Sequence, residues 1–321
     1  MEGLTLQTGR VAKRIETPPF VGRKQRAAVE PDFPTPEIST EKVPPIQKRK
    51  QRQKASNHFE IARTRAGARV RWTPLGAVPQ GKMRLAVASD IHTKTDRFAH
   101  IARLVDRVIA SHASALLLCG DLCDHGSIDE ARVLAGQLRK LTSAGIAVVS
   151  VLGNHDHTGD QGAEIKRILE EAGVRVLDGD SVALDDRVAI VGVRGFGGGF
   201  DRNQQGVFGE PINKAWVQEG VNEADKLGVA LANAHRPVKI AISHYAPVQE
   251  TVRGEPVAIQ SFLGTSRLAE KVDADDVLAY FHGHAHAGRP EGRTKGGVPV
   301  FNVAQPVLQN AVGTGFVIAD V

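Results

Sequence analysis

Residues 147–156 read Ala147-Val148-Val149-Ser150-Val151-Leu152-Gly153-Asn154-His155-Asp156. Its first six residues form an almost uninterrupted apolar run, which is typical of a short strand buried on both faces. A glycine and then amide, imidazole and carboxylate side chains follow at once. This order predicts a loop that carries polar groups at the carboxyl end of a buried strand.

Four further segments place polar side chains directly after a strand-like run. They are Asp90-Ile91-His92, Gly120-Asp121, Ser243-His244-Tyr245 and Gly283-His284-Ala285-His286. From Met83 onward, apolar runs alternate with segments of helical period, which indicates strands joined by crossover helices. Because ligands of α/β sheets bind beyond the carboxyl ends of the strands, we expect all five segments to meet at one rim.

The boundaries of these elements follow from the same periodicity. The predicted strands span 85–89, 115–119, 147–152, 188–193, 238–243, 278–282, 298–303 and 315–319, and the predicted helices span 97–110, 128–141, 163–171 and 211–234.

The composition separates an N-terminal segment from the rest of the chain. Of the 321 residues, 41% are hydrophobic, which allows a sizeable core. Residues 1–80, however, hold 16 Lys and Arg against seven Asp and Glu, together with nine of the 16 prolines. A segment so poor in apolar surface is not expected to fold. We therefore predict a basic, proline-rich disordered tail over residues 1–82 and one folded domain over residues 83–321.

Two alternatives remain open for the tail. Its cluster Lys48-Arg49-Lys50-Gln51-Arg52-Gln53-Lys54 is either a solvated charge run or a contact for nucleic acid or an anionic surface. Met83 opens the first predicted strand, so a second interpretation is that translation begins there and the tail is not made.

The chain has neither an apolar stretch of membrane-spanning length nor the apolar core of a secretory signal. It has two cysteines, Cys119 and Cys123, in a spacing that fits neither a disulfide framework nor a zinc ribbon. These features predict a soluble cytoplasmic protein with no membrane partner, and they leave the oligomeric state open.

The residue types of the five segments favour a metal site. Asp90 and His92 are two residues apart, so their side chains project to the same side of an extended backbone. Carboxylate, imidazole and amide oxygen together suit Mn, Fe or Zn better than Ca or Mg, whose sites consist of oxygen atoms.

The five segments resemble the pattern of the calcineurin-like metallophosphoesterase superfamily: Asp-x-His, Gly-Asp-x-x-Asp, Gly-Asn-His followed by Asp or Glu, a lone His, and Gly-His-x-His. Every part is present in order, over roughly residues 83–303. The resemblance implies an α/β fold, a four-layer α/β/β/α sandwich of two mixed β-sheets flanked by helices. It also implies that residues 83–321 are a catalytic domain, a metal-dependent phosphoric ester hydrolase.

Carried over position by position, the resemblance implies two divalent metal ions and a bridging hydroxide that attacks phosphorus. His155 would donate a proton to the departing alkoxide, and the carboxylate of Asp124 would orient His155. The implied ligands are Asp90, His92 and His286 for the first metal, Asn154, His244 and His284 for the second, and Asp121 as the bridge between them.

The substrate class follows from two departures from the family. Where the protein phosphatases carry Arg and Glu, this chain has His125 and Asp156. This favours the bacterial-type branch of small phosphodiesterases, and we predict hydrolysis of a small or nucleotide-like phosphodiester. The alternatives are a nuclease that uses the basic tail, a phosphomonoesterase, and a noncatalytic metal-binding scaffold.

Two further segments are candidates for the substrate entrance. Residues 195–200 read Gly-Phe-Gly-Gly-Gly-Phe and are either a flexible connection or a loop whose amides bind a phosphate. Residues 245–268 are expected to form a lip over the metals, where Arg253 or Arg267 would be either a phosphate clamp or a surface charge.

Overall fold

The computed structural model describes residues 56–64 and 67–321. Within them, the strands are β1 (His58–Thr64), β2 (Gly67–Trp72), β3 (Arg84–Ala88), β4 (Ala115–Cys119), β5 (Ala147–Val151), β6 (Val174–Val176), β7 (Asp180–Ala183), β8 (Val188–Gly192), β9 (Val238–Ile242), β10 (Val277–His282), β11 (Glu291–Arg293), β12 (Pro299–Asn302) and β13 (Val317–Asp320). The α-helices are α1 (Ala99–Ala110), α2 (Ile128–Ser143), α3 (Gly162–Glu171), α4 (Pro211–Asn233), α5 (Gln249–Val252), α6 (Ser266–Asp273) and α7 (Gln305–Ala311).

The strands form two mixed sheets. The first sheet has the order β2-β1-β13-β3-β4-β5-β6, and the second has the order β11-β12-β10-β9-β8-β7. In the first sheet β3, β4, β5 and β6 run parallel, whereas β13 is antiparallel to β3. In the second sheet β8, β9, β10 and β12 run parallel, and β7 and β11 pair antiparallel at its two edges.

Three apolar cores separate four layers. Successive side chains of a strand point to opposite faces, and in β4 this sends Leu116 and Leu118 towards α1, α2 and α3. Leu117 and Cys119 point the other way, into a core shared with Ile240 and other residues of the second sheet. The far face of the second sheet packs on α4 and α6. The α/β/β/α order predicted from the family resemblance is therefore correct.

The N-terminal boundary is where the structure differs from the sequence-based prediction. Residues 58–64 and 67–72 were expected to belong to a disordered tail, but they form the antiparallel strands β1 and β2, and β1 pairs in parallel with β13. Phe59 and Ile61 of β1 are fully buried between the sheets, where Phe59 stacks on Phe301. The expectation of disorder is wrong for this stretch because its alternating apolar residues complete the inter-sheet core. The basic cluster at residues 48–54 lies outside the described residues.

A buried ionic network ties these two strands to the rest of the sheet. Arg84 donates to both carboxylate oxygens of Asp320 at 2.8 Å, and His58 Nε2 lies 2.9 Å from the same carboxylate. All three side chains are almost completely buried. Burial alone would raise the pKa of Asp320, but the hydrogen bonds from Arg84 and His58 lower it. Removing one partner would leave a buried charge unpaired, so β1, β3 and β13 depend on each other.

None of the helices in the described part of the chain combines the length and the apolar character that a membrane span requires.

Candidate metal centre

The five predicted segments meet at the carboxyl ends of central strands from both sheets. Asp90 and His92 follow β3, Asp121 follows β4, and Asn154 follows β5 in the first sheet, while His244 follows β9 and the two histidines 284 and 286 follow β10 in the second. Because the strands within each group are parallel neighbours, their carboxyl ends lie side by side.

Two glycines of these segments, Gly153 and Gly283, are needed because side chains from different strand ends lie close together. A Cβ atom on Gly153 would lie 2.2 Å from Oδ1 of Asp121, and one on Gly283 would lie 2.2 Å from Oδ2 of Asp90. Each glycine therefore leaves the space into which a carboxylate from the end of another strand fits, which gives a physical reason for the Gly-Asn-His and Gly-His-x-His patterns.

The backbone at the centre is unusual. Asp90, His92, Asp121 and His284 have φ angles of 55°, 42°, 49° and 68°, in the left-handed region that non-glycine residues rarely adopt. Such conformations each cost on the order of 1–3 kcal/mol and gather at functional sites. Four of the seven predicted ligands share this feature, and it turns their side chains towards one another at the strand ends.

The first group of predicted ligands surrounds Asp90. His286 Nε2 lies 2.7 Å from Asp90 Oδ1, and the main-chain N–H of His284 donates to both carboxylate oxygens at 3.1 Å. Burial by itself would raise the pKa of Asp90, but the hydrogen bond with His286 and the nearby imidazoles lower it. This carboxylate is therefore ionised, and its charge attracts a cation.

The second group of predicted ligands surrounds Asp121. His244 Nε2 lies 3.2 Å from Asp121 Oδ1 and 2.8 Å from Asn154 Oδ1. On the other side of the ring, His244 Nδ1 donates to the main-chain oxygen of Cys119 at 3.0 Å, which orients the imidazole. Burial would lower the pKa of His244, but the charges of Asp121 and Asp90 raise it to about 9. The surroundings of His244 therefore favour a positive charge.

These residues fit divalent metal ions. Three of the four sets of ligand atoms that converge within 4.8 Å in the described residues lie here: Asp90 with His92 and His286, His92 with Asp121 and His155, and Asp121 with His244 and His284. The fourth set is Asp124 with His125 and Glu130. Neither buried ring nitrogen of His92 makes a hydrogen bond. Nδ1 faces the Asp124 carboxylate at 3.3 Å, and Nε2, which lies 3.8 Å from Asp121 Oδ2, is left for a metal. The combination of carboxylate and imidazole suits Mn, Fe or Zn. The ligand roles of the seven residues stay predictions, but the structure brings all seven together.

His155 stands at the rim, and its contact with Asp124 differs from the predicted one. His155 Nδ1 lies 2.6 Å from the main-chain oxygen of Asp124, not from its carboxylate. The carboxylate turns instead to Lys94 Nζ at 3.0 Å and His92 Nδ1 at 3.3 Å. The expectation that this carboxylate orients His155 is corrected accordingly, because the loop presents the backbone to the imidazole.

Asp156 has a role that sequence reasoning did not find. Its fully buried carboxylate accepts hydrogen bonds from the main-chain N–H groups of Leu122, Cys123 and Gly153 at 2.7–3.1 Å. It thereby joins the loop after β4 to the loop after β5. The signal was its position directly after Gly-Asn-His, and only the fold reveals that it faces two loops.

Other candidates are held in structural contacts. The amides of Gly195, Gly198 and Gly199 bond to the Glu223 carboxylate and to the main-chain oxygens of residues 261 and 264, so they do not form a phosphate loop. The guanidinium of Arg267 donates to the Gln205 main-chain oxygen. His282 is fully buried, and its Nε2 lies 2.8 Å from Thr251 Oγ1.

Comparison with known proteins agrees with this geometry. Residues 83–288 match the calcineurin-like phosphoesterase family. The uncharacterized metallophosphoesterase YhaO of Bacillus subtilis (strain 168) is 33% identical over 75 residues, which cover 23% of this chain and 18% of that relative. The chain thus spans less than a fifth of the length of the curated relative it matches.

Solved structures resemble the chain at low sequence identity. One crystal structure is 12% identical with a TM-score of 0.47, and the crystal structure of TT1561 of Thermus thermophilus is 16% identical with a TM-score of 0.43. Each alignment covers 70% of this chain and 91% of the other. The family match extends over more than half of the sequence and contains all seven predicted ligands, and the chain therefore belongs to the calcineurin-like phosphoesterase family.

Proposed function

We propose that the chain is a dinuclear metal-dependent phosphodiesterase that hydrolyses a small or nucleotide-like phosphodiester. One observation carries the dinuclear part of the proposal. The two carboxylate oxygens of Asp121 face different groups: Oδ1 lies 3.2 Å from His244 Nε2, and Oδ2 lies 3.8 Å from His92 Nε2. A carboxylate placed in this way can bridge two cations.

The residues divide into two sets around that bridge. Asp90, His92 and His286 would hold one metal ion, and Asn154, His244 and His284 would hold the other. Bound there, two divalent ions would polarise the phosphoryl group and activate a water molecule for in-line attack.

His155 would supply the proton that the leaving group needs. Its Nδ1–H donates to the main-chain oxygen of Asp124, so Nε2 is directed into the centre, where it lies 4.0 Å from Asp121 Oδ2. With the imidazole protonated, Nε2–H can pass its proton to the ester oxygen as the P–O bond breaks, and the group leaves as an alcohol. General-acid steps of this kind contribute typically about 10²–10⁴-fold in rate.

The proposed preference for a diester is based on the residue at position 125, at the rim of the metal centre. Position 125, where the protein phosphatases of this family carry Arg, is occupied by a histidine whose side chain is 75% exposed. His125 Nδ1 lies 3.1 Å from the Asp124 carboxylate and 3.2 Å from the Glu130 carboxylate. This position therefore offers no fixed cation for the second charge of a phosphomonoester, whereas a diester carries one charge.

The experiment compares two chromogenic esters on the full chain. Mn-loaded protein is incubated with bis-p-nitrophenyl phosphate and with p-nitrophenyl phosphate, beside metal-stripped protein. The proposal expects metal-dependent cleavage with a higher kcat/KM for the diester. Preference for the monoester would point to a phosphatase, and no cleavage by the metal-loaded protein would favour the scaffold. The full chain is used because residues 58–64 and 67–72 are part of the fold.

A further inference from the structure

A continuous series of aromatic contacts leads away from the candidate metal centre. The ring of Tyr245 lies 4.5 Å from that of His284, between ring centroids, and 5.7 Å from that of Phe196. Phe196 in turn lies 5.6 Å from Trp216, and Trp216 lies 5.4 Å from Phe262.

These contacts end at an open cavity of about 450 Å³, here called the aromatic groove. Its apolar lining consists of Phe208, Ile212, Trp216, Val217 and Phe262. Cavities of this size that are lined by aromatic and aliphatic side chains are typical of sites for small organic ligands.

Ring contacts connect the aromatic groove to a predicted metal ligand. Tyr245, whose ring contacts the His284 imidazole, is joined through Phe196 to Trp216, and Trp216 forms part of the lining. A phosphate ester whose phosphoryl group lies at the metal centre would therefore have an apolar path along which one substituent extends to the groove.

The lining is unusually exposed for apolar residues. Phe208 and Ile212 are each 75% exposed, and Phe262 is 56% exposed. Contiguous apolar surface of this kind marks a binding site more often than chance exposure. Its one charged side chain, Glu210, accepts a hydrogen bond from Asn213 at 2.9 Å. No cation is therefore among the described residues that line the groove, and a second anionic group would not be favoured there.

The glycine-rich segment packs against Trp216, which lines the groove. A Cβ atom on Gly197 would lie 2.7 Å from Cζ2 of Trp216, and one on Gly220 would lie 2.5 Å from the Gly197 main-chain oxygen. The absence of side chains at both positions lets α4 approach the loop and fixes the Trp216 indole. Residues 195–200, for which the sequence allowed either a flexible connection or a phosphate-binding loop, thus have a packing role.

We propose that the aromatic groove binds an uncharged apolar substituent, aryl or alkyl, of the phosphate ester whose phosphoryl group lies at the metal centre. This inference rests on the proposed function and narrows its substrate class to esters that carry a hydrophobic group. The occupant is assigned to part of the substrate because ring contacts connect the groove to His284.

The test uses ligands with a single organic group. Binding of octylphosphonate, whose chain is long enough to follow the ring contacts, and of methylphosphonate to the Mn-loaded full chain is measured by calorimetry. Burying an apolar group in such a pocket changes affinity by roughly 10-fold or more, so the parent should bind octylphosphonate at least about tenfold tighter. A double variant, Phe208→Ala with Ile212→Ala, should lose most of that ratio while binding methylphosphonate as the parent does.

Val229→Ala is the matched control, because Val229 is 60% exposed on the same helix α4 but does not line the groove. It should keep the parent ratio. A parent that does not discriminate between the two phosphonates, a parent that binds neither, or a double variant with an unchanged ratio would each overturn the inference. Hydrolysis is measured separately. If the parent discriminates between the phosphonates but hydrolyses no ester, the groove is supported and the proposed function is contradicted. If it hydrolyses an ester but does not discriminate, the proposed function is supported and the groove is contradicted.

Discussion

His155 Nδ1 lies 2.6 Å from the main-chain oxygen of Asp124, while the carboxylate of the same residue lies 3.3 Å from Nδ1 of His92. One residue therefore contacts both the candidate general acid and a candidate metal ligand, through different atoms. Side-chain changes at position 124 should act on the metal ligand and leave the orientation of His155 intact, because the main-chain oxygen is kept.

Asp124→Asn tests this division. We expect metal affinity to fall by about 10–100-fold, the usual effect of losing a partner that orients a metal-ligating histidine. At saturating Mn, the acid dependence of kcat for bis-p-nitrophenyl phosphate should match that of the parent. Metal titration by calorimetry and a pH–rate profile check the two parts. A shifted kcat profile with unchanged metal affinity would mean that the carboxylate does act on His155.

Gly153→Ala tests the crowding at the bridging carboxylate. The added Cβ atom would lie 2.2 Å from Asp121 Oδ1, so the carboxylate has to move and Mn stoichiometry should fall. Gly136→Ala is the control, since Gly136 lies in α2 with open space around its Cβ position. That change should leave metal content alone and be neutral or stabilising by up to about 1 kcal/mol. Equal metal content in both variants would show that the carboxylate position is not critical.

Truncation tests the N-terminal boundary. A chain that starts at Met83 lacks the buried Phe59 and Ile61, leaves the Asp320 carboxylate without His58, and exposes an edge of β13. Loss of two such core side chains alone should lower the free energy of unfolding by at least about 4 kcal/mol. Urea unfolding of this chain is compared with that of a chain starting at Arg52, which retains β1 and β2. Identical midpoints would contradict the structural role of β1.

Much of the fold was readable from the sequence because its central strands are buried on both faces. The run 115–119 is entirely apolar, and such runs stand out between helical segments. β1 was missed because His-Phe-Glu-Ile-Ala-Arg-Thr alternates, and it lies in a segment whose average composition is basic and rich in proline. Its partner β13 is more than 250 residues away, and local composition contains no information about such pairings.

The candidate site was predictable to the level of residues but not of atoms. Side-chain types at strand ends indicated which residues would meet. Which atom of Asp124 contacts His155 depends on the path of the loop, and the clamp formed by Asp156 depends on two loops that are 30 residues apart. The aromatic groove was likewise out of reach, because its wall combines side chains from α4 with Phe262.

His282 predicts a dependence of stability on pH. Its burial lowers its pKa from 6.5 to about 4, so the folded state favours the neutral ring while the unfolded chain binds a proton below about 6.5. The contribution of His282 to the free energy of unfolding is therefore fully present above about pH 6.5. It is lost as the pH falls towards 4, by about 3 kcal/mol in total.

Urea midpoints of metal-stripped protein across this pH range measure the effect. His282→Gln should flatten the dependence, because glutamine does not titrate, whereas the exposed His235→Gln should keep the slope of the parent. A parent-like slope in His282→Gln would assign the acid sensitivity to another group.

The most direct test of the dinuclear mechanism is the bound Mn per chain, measured beside the turnover of bis-p-nitrophenyl phosphate, for the parent, His155→Gln and Asp121→Asn. We predict two Mn in the parent. His155→Gln should keep both metals and lose about 10²–10⁴-fold in turnover, and Asp121→Asn should lose both metal and turnover. A parent that hydrolyses the diester with one Mn, or a His155→Gln variant as active as the parent, would contradict the account.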